Sequence, residues 1–156
     1  MKKCIYKNFQ NIKKPSIAFI ENEIKRSLEE NISNSTKKIS IALSSGIDSN
    51  IILALVKERF PDIKINAITV KFSDSVDESV KVSKIAEHFE IDHHIVNVNN
   101  FLESLPETIS YTKLPFWDTH WFYVAKKAQT FSKKIISGNG GDELFGGYGF
   151  RYSKFL

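Results

Sequence analysis

One cysteine, Cys4, is all the thiol chemistry in 156 residues. A single thiol builds neither a disulfide framework nor a multi-cysteine zinc site, and the reading is a reducing, cytosolic compartment. Long apolar runs are missing too. None approaches the roughly 20 residues of a membrane span, and the N-terminus lacks the apolar segment of a secretion signal, so no membrane partner is expected. There is no internal repeat, low-complexity tract or second-domain boundary, so one domain with one core is expected. A chain of this size buries about two-thirds of its unfolded surface and needs no staple to fold.

Arginine is scarce: 22 basic residues face 18 acidic ones, for a net charge of +4, and nearly all the basic residues are lysine. The excess sits in the first 40 residues, with Lys2, Lys3, Lys7, Lys13 and Lys14 in a lead-in without periodicity. The rest of the chain is close to neutral, so nucleic acid is not the expected partner.

Pro15 and Ser16 open a helix with Ile17, Ile20, Ile24 and Leu28 on one face. Then strand and helix alternate. Strands are read at 38–43, 63–72, 94–98 and 134–137, and helices at 49–59, 76–89, 101–111 and 118–131. This pattern predicts an α/β fold, an open parallel sheet with helices on both faces. The domain reading is a loose lead-in over 1–15 and a single domain over 16–156. Such sheets bind ligands beyond the carboxyl ends of their strands, and two unusual loops lie at such ends.

The first loop is Leu43-Ser44-Ser45-Gly46-Ile47-Asp48-Ser49-Asn50. A strand that runs through small residues into a helix presents backbone N–H groups at a positive dipole end, an anion site. It lacks the GxxxxGK(S/T) pattern and any basic residue. Asp48 sits where a phosphate would approach, and two anions share that place only with a cation between them, which argues for Mg²⁺. An ordinary turn with Asp48 or Ser49 as the helix cap is the alternative. The second loop, SGNGGDELFGGY over 137–148, places five of the chain's seven glycines within ten residues. Each glycine loses about 0.5–1 kcal/mol of conformational freedom relative to Ala, so the cluster is read as close backbone approach to a ligand. Asp142 offers a second hard oxygen for the same Mg²⁺.

LSSGIDSN resembles the pyrophosphate-binding loop SGGxDS of the ATP-pyrophosphatases. SGNGGDELFGGY is similar to the second phosphate loop of the asparagine synthetases within that superfamily. With ITVKF and DHH between them, the resemblance covers roughly residues 35–152. It implies the five-stranded type of sheet found in adenine nucleotide alpha hydrolases and Rossmann-like folds. It also implies Mg-ATP as cofactor. Ser44, Ser45, Gly46, Asp48 and Ser49 would hold the β- and γ-phosphates, and Leu43 and Val70 would contact adenosine. Ser137 and Gly138 would line the ribose and α-phosphate, with Gly140 and Gly141 in the same loop, and Asp48 and Asp142 would bind Mg²⁺. The implied reaction adenylates a carboxylate, aspartate by family default, releases pyrophosphate and passes the acyl group to ammonia or another amine. The alternatives are an adenylating ligase for another acceptor, as in peptide or antibiotic cyclisation, and a non-catalytic nucleotide-binding module.

The sequence departs from the family pattern in places. Cys4 does not occupy the position of the family's glutaminase nucleophile, immediately after Met1, so the amine is expected in trans. The family continues past the second loop with helices that shape the acceptor pocket. A partner chain supplying those helices or a glutaminase is therefore expected, as is oligomerisation through exposed apolar surface. Asn139, third of the residues assigned to catalysis with Asp48 and Asp142, stands where the family has Glu or Asp, and an amide cannot take up a proton near neutral pH. Ser45 replaces a glycine of the first motif and Asn50 its final Ser or Thr.

The remaining conspicuous residues have plainer readings. His93 and His94 point to opposite faces of a strand and so do not share an ion. Phe116, Trp117, Trp121, Phe122 and Tyr123 are read as a core-facing helix or a covered surface rather than a base-stacking platform. Asp77 and Glu78 are read as helix-opening acids, with a nucleotide-site role, implied by family position, as the alternative, and Lys126, Lys127, Lys133 and Lys134 as a solvated face.

Overall fold

The computed structural model describes residues 15–33, 35–73, 77–113, 119–145 and 147. Residues 1–33 and 34–156 form two compact units. In the first, helix α1 (Ile17–Asn31) is capped by the Ser16 hydroxyl, which accepts the Phe19 N–H at 3.1 Å. Its polar face carries i,i+3 and i,i+4 ion pairs from Arg26 to Glu23 and Glu30.

The second unit follows the predicted alternation. Strands β1 (Lys38–Ala42), β2 (Lys64–Phe72), β3 (Asp92–Val98) and β4 (Ile135–Ile136) form one parallel sheet in the order β3-β2-β1-β4. Helices α2 (Ile47–Arg59), α3 (Ser79–His88), α4 (Phe101–Thr112) and α5 (His120–Ala128) connect them, and a short α6 (Gly141–Phe145) follows β4. The described residues hold four strands, not the five expected. The long connection from β3 to β4 holds two helices, α4 and α5, and no strand in its described part, because its apolar residues recur at helical spacing. Part of the supposed glycine loop is likewise helix α6.

β2 is the most enclosed strand. Ile65, Asn66, Ala67, Ile68 and Thr69 are all buried, the unbroken pattern of a parallel strand covered on both faces. Helix α5 lays Val124 and Ala128 on Ile68, with Ala42, Val70, Val96 and Trp121 around them. On the opposite face α2 and α3 carry the chain outward from β1, where right-handed crossovers place them. The chain then returns to set β4 on the other side of β1. The strand order therefore reverses between β1 and β4, and a crevice opens there at the carboxyl ends.

The buried polar groups of β2 tie the sheet together across its strands. Thr69 donates its hydroxyl hydrogen to the Leu43 carbonyl at 2.8 Å. That hydroxyl has no second hydrogen, so His93 Nε2, 2.9 Å away, donates to Thr69. His93 Nδ1 then accepts from Ser83 of α3 at 3.2 Å. A chain of hydrogen bonds thus runs from α3 through β3 and β2 to the end of β1. His94 faces the other way, 3.0 Å from Asn66 Oδ1 and stacked on Phe131 at 4.1 Å. The two rings do part to opposite faces.

Two glycines let the loop after β4 lie directly on the first turn of α2. A Cβ on Gly138 would come within 2.6 Å of the Asp48 carbonyl carbon and the Ser49 nitrogen. One on Gly141 would come within 2.6 Å of the Asp48 carboxylate. Gly140 needs its freedom for another reason, a φ of +96°. The glycines read as an approach to a ligand are thus first an approach of one loop to another.

Two predictions follow from this packing. Gly138→Ala must push backbone from backbone and is expected to cost about 1–3 kcal/mol in urea unfolding; a change within about 0.5 kcal/mol would disprove the contact. Burial first, then the neighbouring His94, lowers the pKa of His93 below 6.5. Burial first, then Lys127, lowers that of His94. The unfolded chain therefore takes up protons that the folded chain refuses. Stability is full above about pH 6.5 and declines as pH falls below it. Thermal melts between pH 7.5 and 5.5 should show the decline, and His93→Gln should flatten it.

Candidate functional site

The loop leaving β1 is held by the helix that it starts. Leu43 makes the last ladder bond, its N–H donating to Ile68 O at 2.9 Å. The Ser49 hydroxyl, buried one turn into α2, accepts the Ser44 N–H at 3.2 Å and lies 3.1 Å from Gly46 O. Asn50 donates its amide to Gly46 O at 2.6 Å and to Ser44 O at 3.2 Å. A serine or threonine hydroxyl has one hydrogen to give, whereas the Asn50 amide has two and uses both. The departure at this position therefore keeps the loop fixed.

Gly46 is the N-cap of α2, with no side-chain cap bond. Neither Asp48 nor Ser49 serves as the cap, which removes the plain structural reading of Asp48. Its carboxylate sits in the first turn of α2, against Gly141 and on the wall of a cleft of about 660 Å³. Asp142, in the first turn of α6, lines the same cleft. Gly147 closes behind it, its N–H donating to Asp142 O at 3.0 Å.

The cleft occupies the reversal point between β1 and β4. Of the residues expected to bind nucleotide, Leu43, Ser44, Gly46, Asp48, Ser49, Val70, Ser137 and Gly138 line it, together with Asn139. Ser45, Gly140 and Gly141 do not. Ser45 turns its N–H to a carboxylate outside the loop, that of Glu78, at 3.2 Å. Asn139 N–H reaches back to Ser137 Oγ at 3.4 Å.

Sequence reasoning did not place Lys71, Phe72, Ser79 or His120 on this wall, and it set aside a nucleotide-site role for Glu78 and a base-stacking role for Trp121, both of which line it. Trp121 continues the α5 stripe of Val124 and Ala128 by one turn, beyond the sheet and into the cleft. The spacing 121-124-128 marks the stripe, but only the ends of the strands tell where core stops and cleft begins. Phe116 and Trp117 lie outside the described residues. Asp77 is committed elsewhere: its carboxylate accepts from Lys71 at 2.5 Å and from the Ser79 N–H at 3.0 Å. The Lys71 hydrogen bond, followed by those of Ser79, holds its pKa down at about 2.

Charge along the cleft is therefore acidic, with Asp48, Glu78 and Asp142 against a Lys71 already paired with Asp77. Among the described residues no three His, Cys, Asp or Glu side chains form a metal cage. Two hard carboxylates opening on a space with backbone donors fit a different arrangement. Mg²⁺ takes one or two carboxylates, keeps several waters and completes its shell with ligand phosphates.

A model of the asparagine synthase family matches residues 20–156. Asparagine synthetase (glutamine-hydrolyzing) 1 of Bacillus subtilis is 32% identical over 112 residues, which cover 68% of this chain and 17% of that protein. The chain spans about a fifth of the length of the curated relatives it matches, 22% and 20% in two of them. Among solved structures, the NMN synthetase of Francisella tularensis superposes with a TM-score of 0.60 at 16% identity, covering 86% of this chain and 59% of that one. The glutamine-dependent NAD+ synthetase of Acinetobacter baumannii, in complex with ADP, gives 0.59 at 17% identity, covering 88% and 29%. These likenesses establish the fold, a parallel sheet with helices on both faces. The family model spans both loops that line the cleft, and the chain belongs to the asparagine synthase family.

Proposed function

We propose that the cleft binds Mg-ATP and that the chain is the adenylating part of an asparagine-synthetase-type amide ligase. The observation that carries this reading is the convergence of Asp48 and Asp142, from the first turns of α2 and α6, on one open cleft lined by Leu43, Ser44 and Gly46 on one side and by 137–139 on the other. In this reading Leu43 and Val70 flank the adenosine, and the 44–49 turn receives the β- and γ-phosphates. Ser137 and Gly138 lie along the ribose and α-phosphate, while Gly140 and Gly141 shape the turn behind them. Trp121 closes the apolar side.

Asp48 and Asp142 would hold Mg²⁺, which when bound neutralises charge on the departing pyrophosphate. The chain's own groups then have defined tasks. The loop backbone fixes the polyphosphate so that an incoming carboxylate meets the α-phosphorus opposite the leaving oxygen. The N–H groups of the turn, with the α2 dipole behind them, stabilise the charge that accumulates on pyrophosphate. Asn139 can orient an amine or carboxyl oxygen by hydrogen bonding but accepts no proton. Deprotonation of the attacking amine therefore falls to another group or to solvent. Aspartate is the proposed acceptor and ammonia the proposed amine.

Pyrophosphate release from Mg-ATP, measured with aspartate and ammonia, tests the reading. Aspartate-dependent release is expected, and Asp142→Ala should lower it by about 100-fold or more, the scale for losing one group that stabilises transition-state charge. Mg-ATP binding without release would favour the non-catalytic module instead. Release stimulated by other carboxylates and not by aspartate would move the acceptor assignment.

A further inference from the structure

Three successive backbone amides of the first loop have acceptors within the chain. Ser44 N–H takes the Ser49 hydroxyl and Gly46 N–H takes the Ser44 hydroxyl, both at 3.2 Å. These are neutral groups that can turn aside for a ligand. Ser45 N–H instead takes Oε2 of Glu78, a full negative charge from 33 residues away, also at 3.2 Å.

Glu78 is not drawn there by its own helix. It is the N-cap residue of α3, has helical backbone angles (φ −88°, ψ −6°) and makes no side-chain cap bond. Its neighbour Asp77 bonds the Ser79 N–H instead, and also neutralises Lys71. The Glu78 carboxylate is left to reach across the cleft mouth to the loop. Asp48 and Asp142 add two more acids on the same wall, and Lys71 is already spent on Asp77.

We propose that Glu78 is a specificity-determining residue of this cleft: as a built-in anion on Ser45 N–H, it excludes bare polyphosphate and admits polyphosphate already complexed with a divalent cation. This rests on the reading of the cleft as a polyphosphate site. An incoming phosphate oxygen that needs Ser45 N–H must displace a carboxylate bonded to the same donor. A metal-free polyanion does so against three acids and meets no uncommitted cation on the described wall. A cation-complexed one brings its own positive charge to Asp48 and Asp142. The displaced Glu78 side chain, exposed at the mouth, swings into water at little cost. A serine hydroxyl on the same N–H would compete with both forms of the ligand alike, whereas a carboxylate separates them by charge.

Titration calorimetry with inorganic pyrophosphate, in EDTA and in excess Mg²⁺, tests this on the wild-type chain and on Glu78→Gln and Glu78→Ala. Both variants should bind metal-free pyrophosphate about five- to tenfold tighter, the scale of one relieved repulsion near a protein surface. Metal-complexed pyrophosphate should gain less, so the preference for the complex falls. The Ser45 amide resonance should shift in both variants while the other loop amides hold their places, which also shows that they are folded. Unchanged or weaker metal-free binding in the variants would overturn the proposal, as would no pyrophosphate binding by any of the three proteins. A loss confined to the Mg²⁺ complex would overturn it too, by making Glu78 a support of the metal. Mg-ATP binding by the wild-type chain is read separately. Its failure would remove the nucleotide assignment, while the pyrophosphate comparison still decides the role of Glu78.

Discussion

The contact between the glycine-bearing loop after β4 and the first turn of α2 is the constraint on which the site depends. Gly138 lies where a Cβ would strike the backbone at Asp48 and Ser49, and Gly141 where one would strike the Asp48 carboxylate. The parallel pairing of β1 with β4, only Ser40 and Ile41 opposite Ile135 and Ile136, is too short to set this approach alone. Once the loop is seated, Asp142 is carried on α6 to the same cleft as Asp48. Without it, two acids 94 positions apart would have no reason to meet.

A second constraint works from the other side of the sheet. The hydrogen-bond chain Ser83–His93–Thr69–Leu43 O links α3 to the end of β1. It satisfies a carbonyl that has passed beyond the ladder, and it directs the chain into the 44–46 turn. Because Glu78 is the N-cap of α3, the helix holds the loop at both levels, through a half-buried hydrogen-bond network at its middle and an exposed carboxylate at its start. Polar networks of this kind specify one arrangement when every member is satisfied, and no buried side-chain donor or acceptor among the described residues lacks a partner.

Much of the fold was legible because periodicity reports burial. The β-branched residues of β2, Ile65, Ile68, Thr69 and Val70, announced a strand, and the aromatic residues of α5 announced a core-facing helix or a covered surface, which the packing of Val124 and Ala128 on Ile68 bears out as core-facing. Element ends were less legible. The sequence reading started α2 at Ser49, yet the helix begins at Ile47, since Gly46 caps it through backbone geometry that leaves no side-chain signature. The glycine cluster signalled closeness of backbone, and the first turn of α2 is a neighbour of Gly138 and Gly141 that the sequence did not name. Spacing tells that something must come near a glycine, not what.

Local chemistry written in consecutive residues therefore determined the alternation of elements, the two loops and the acids within them, because turn, cap and stripe preferences act over a few positions. The placement of Glu78 on Ser45 N–H, of Trp121 at the boundary of core and cleft, and of Asp48 beside Gly141 was decided only by the tertiary structure. Each joins segments whose separation along the chain, from 33 to more than 90 residues, leaves no mark in local pattern. Parallel strand order brings them together, and that order is set by which crossovers bury the most apolar surface, a property of the whole sheet rather than of any one stretch.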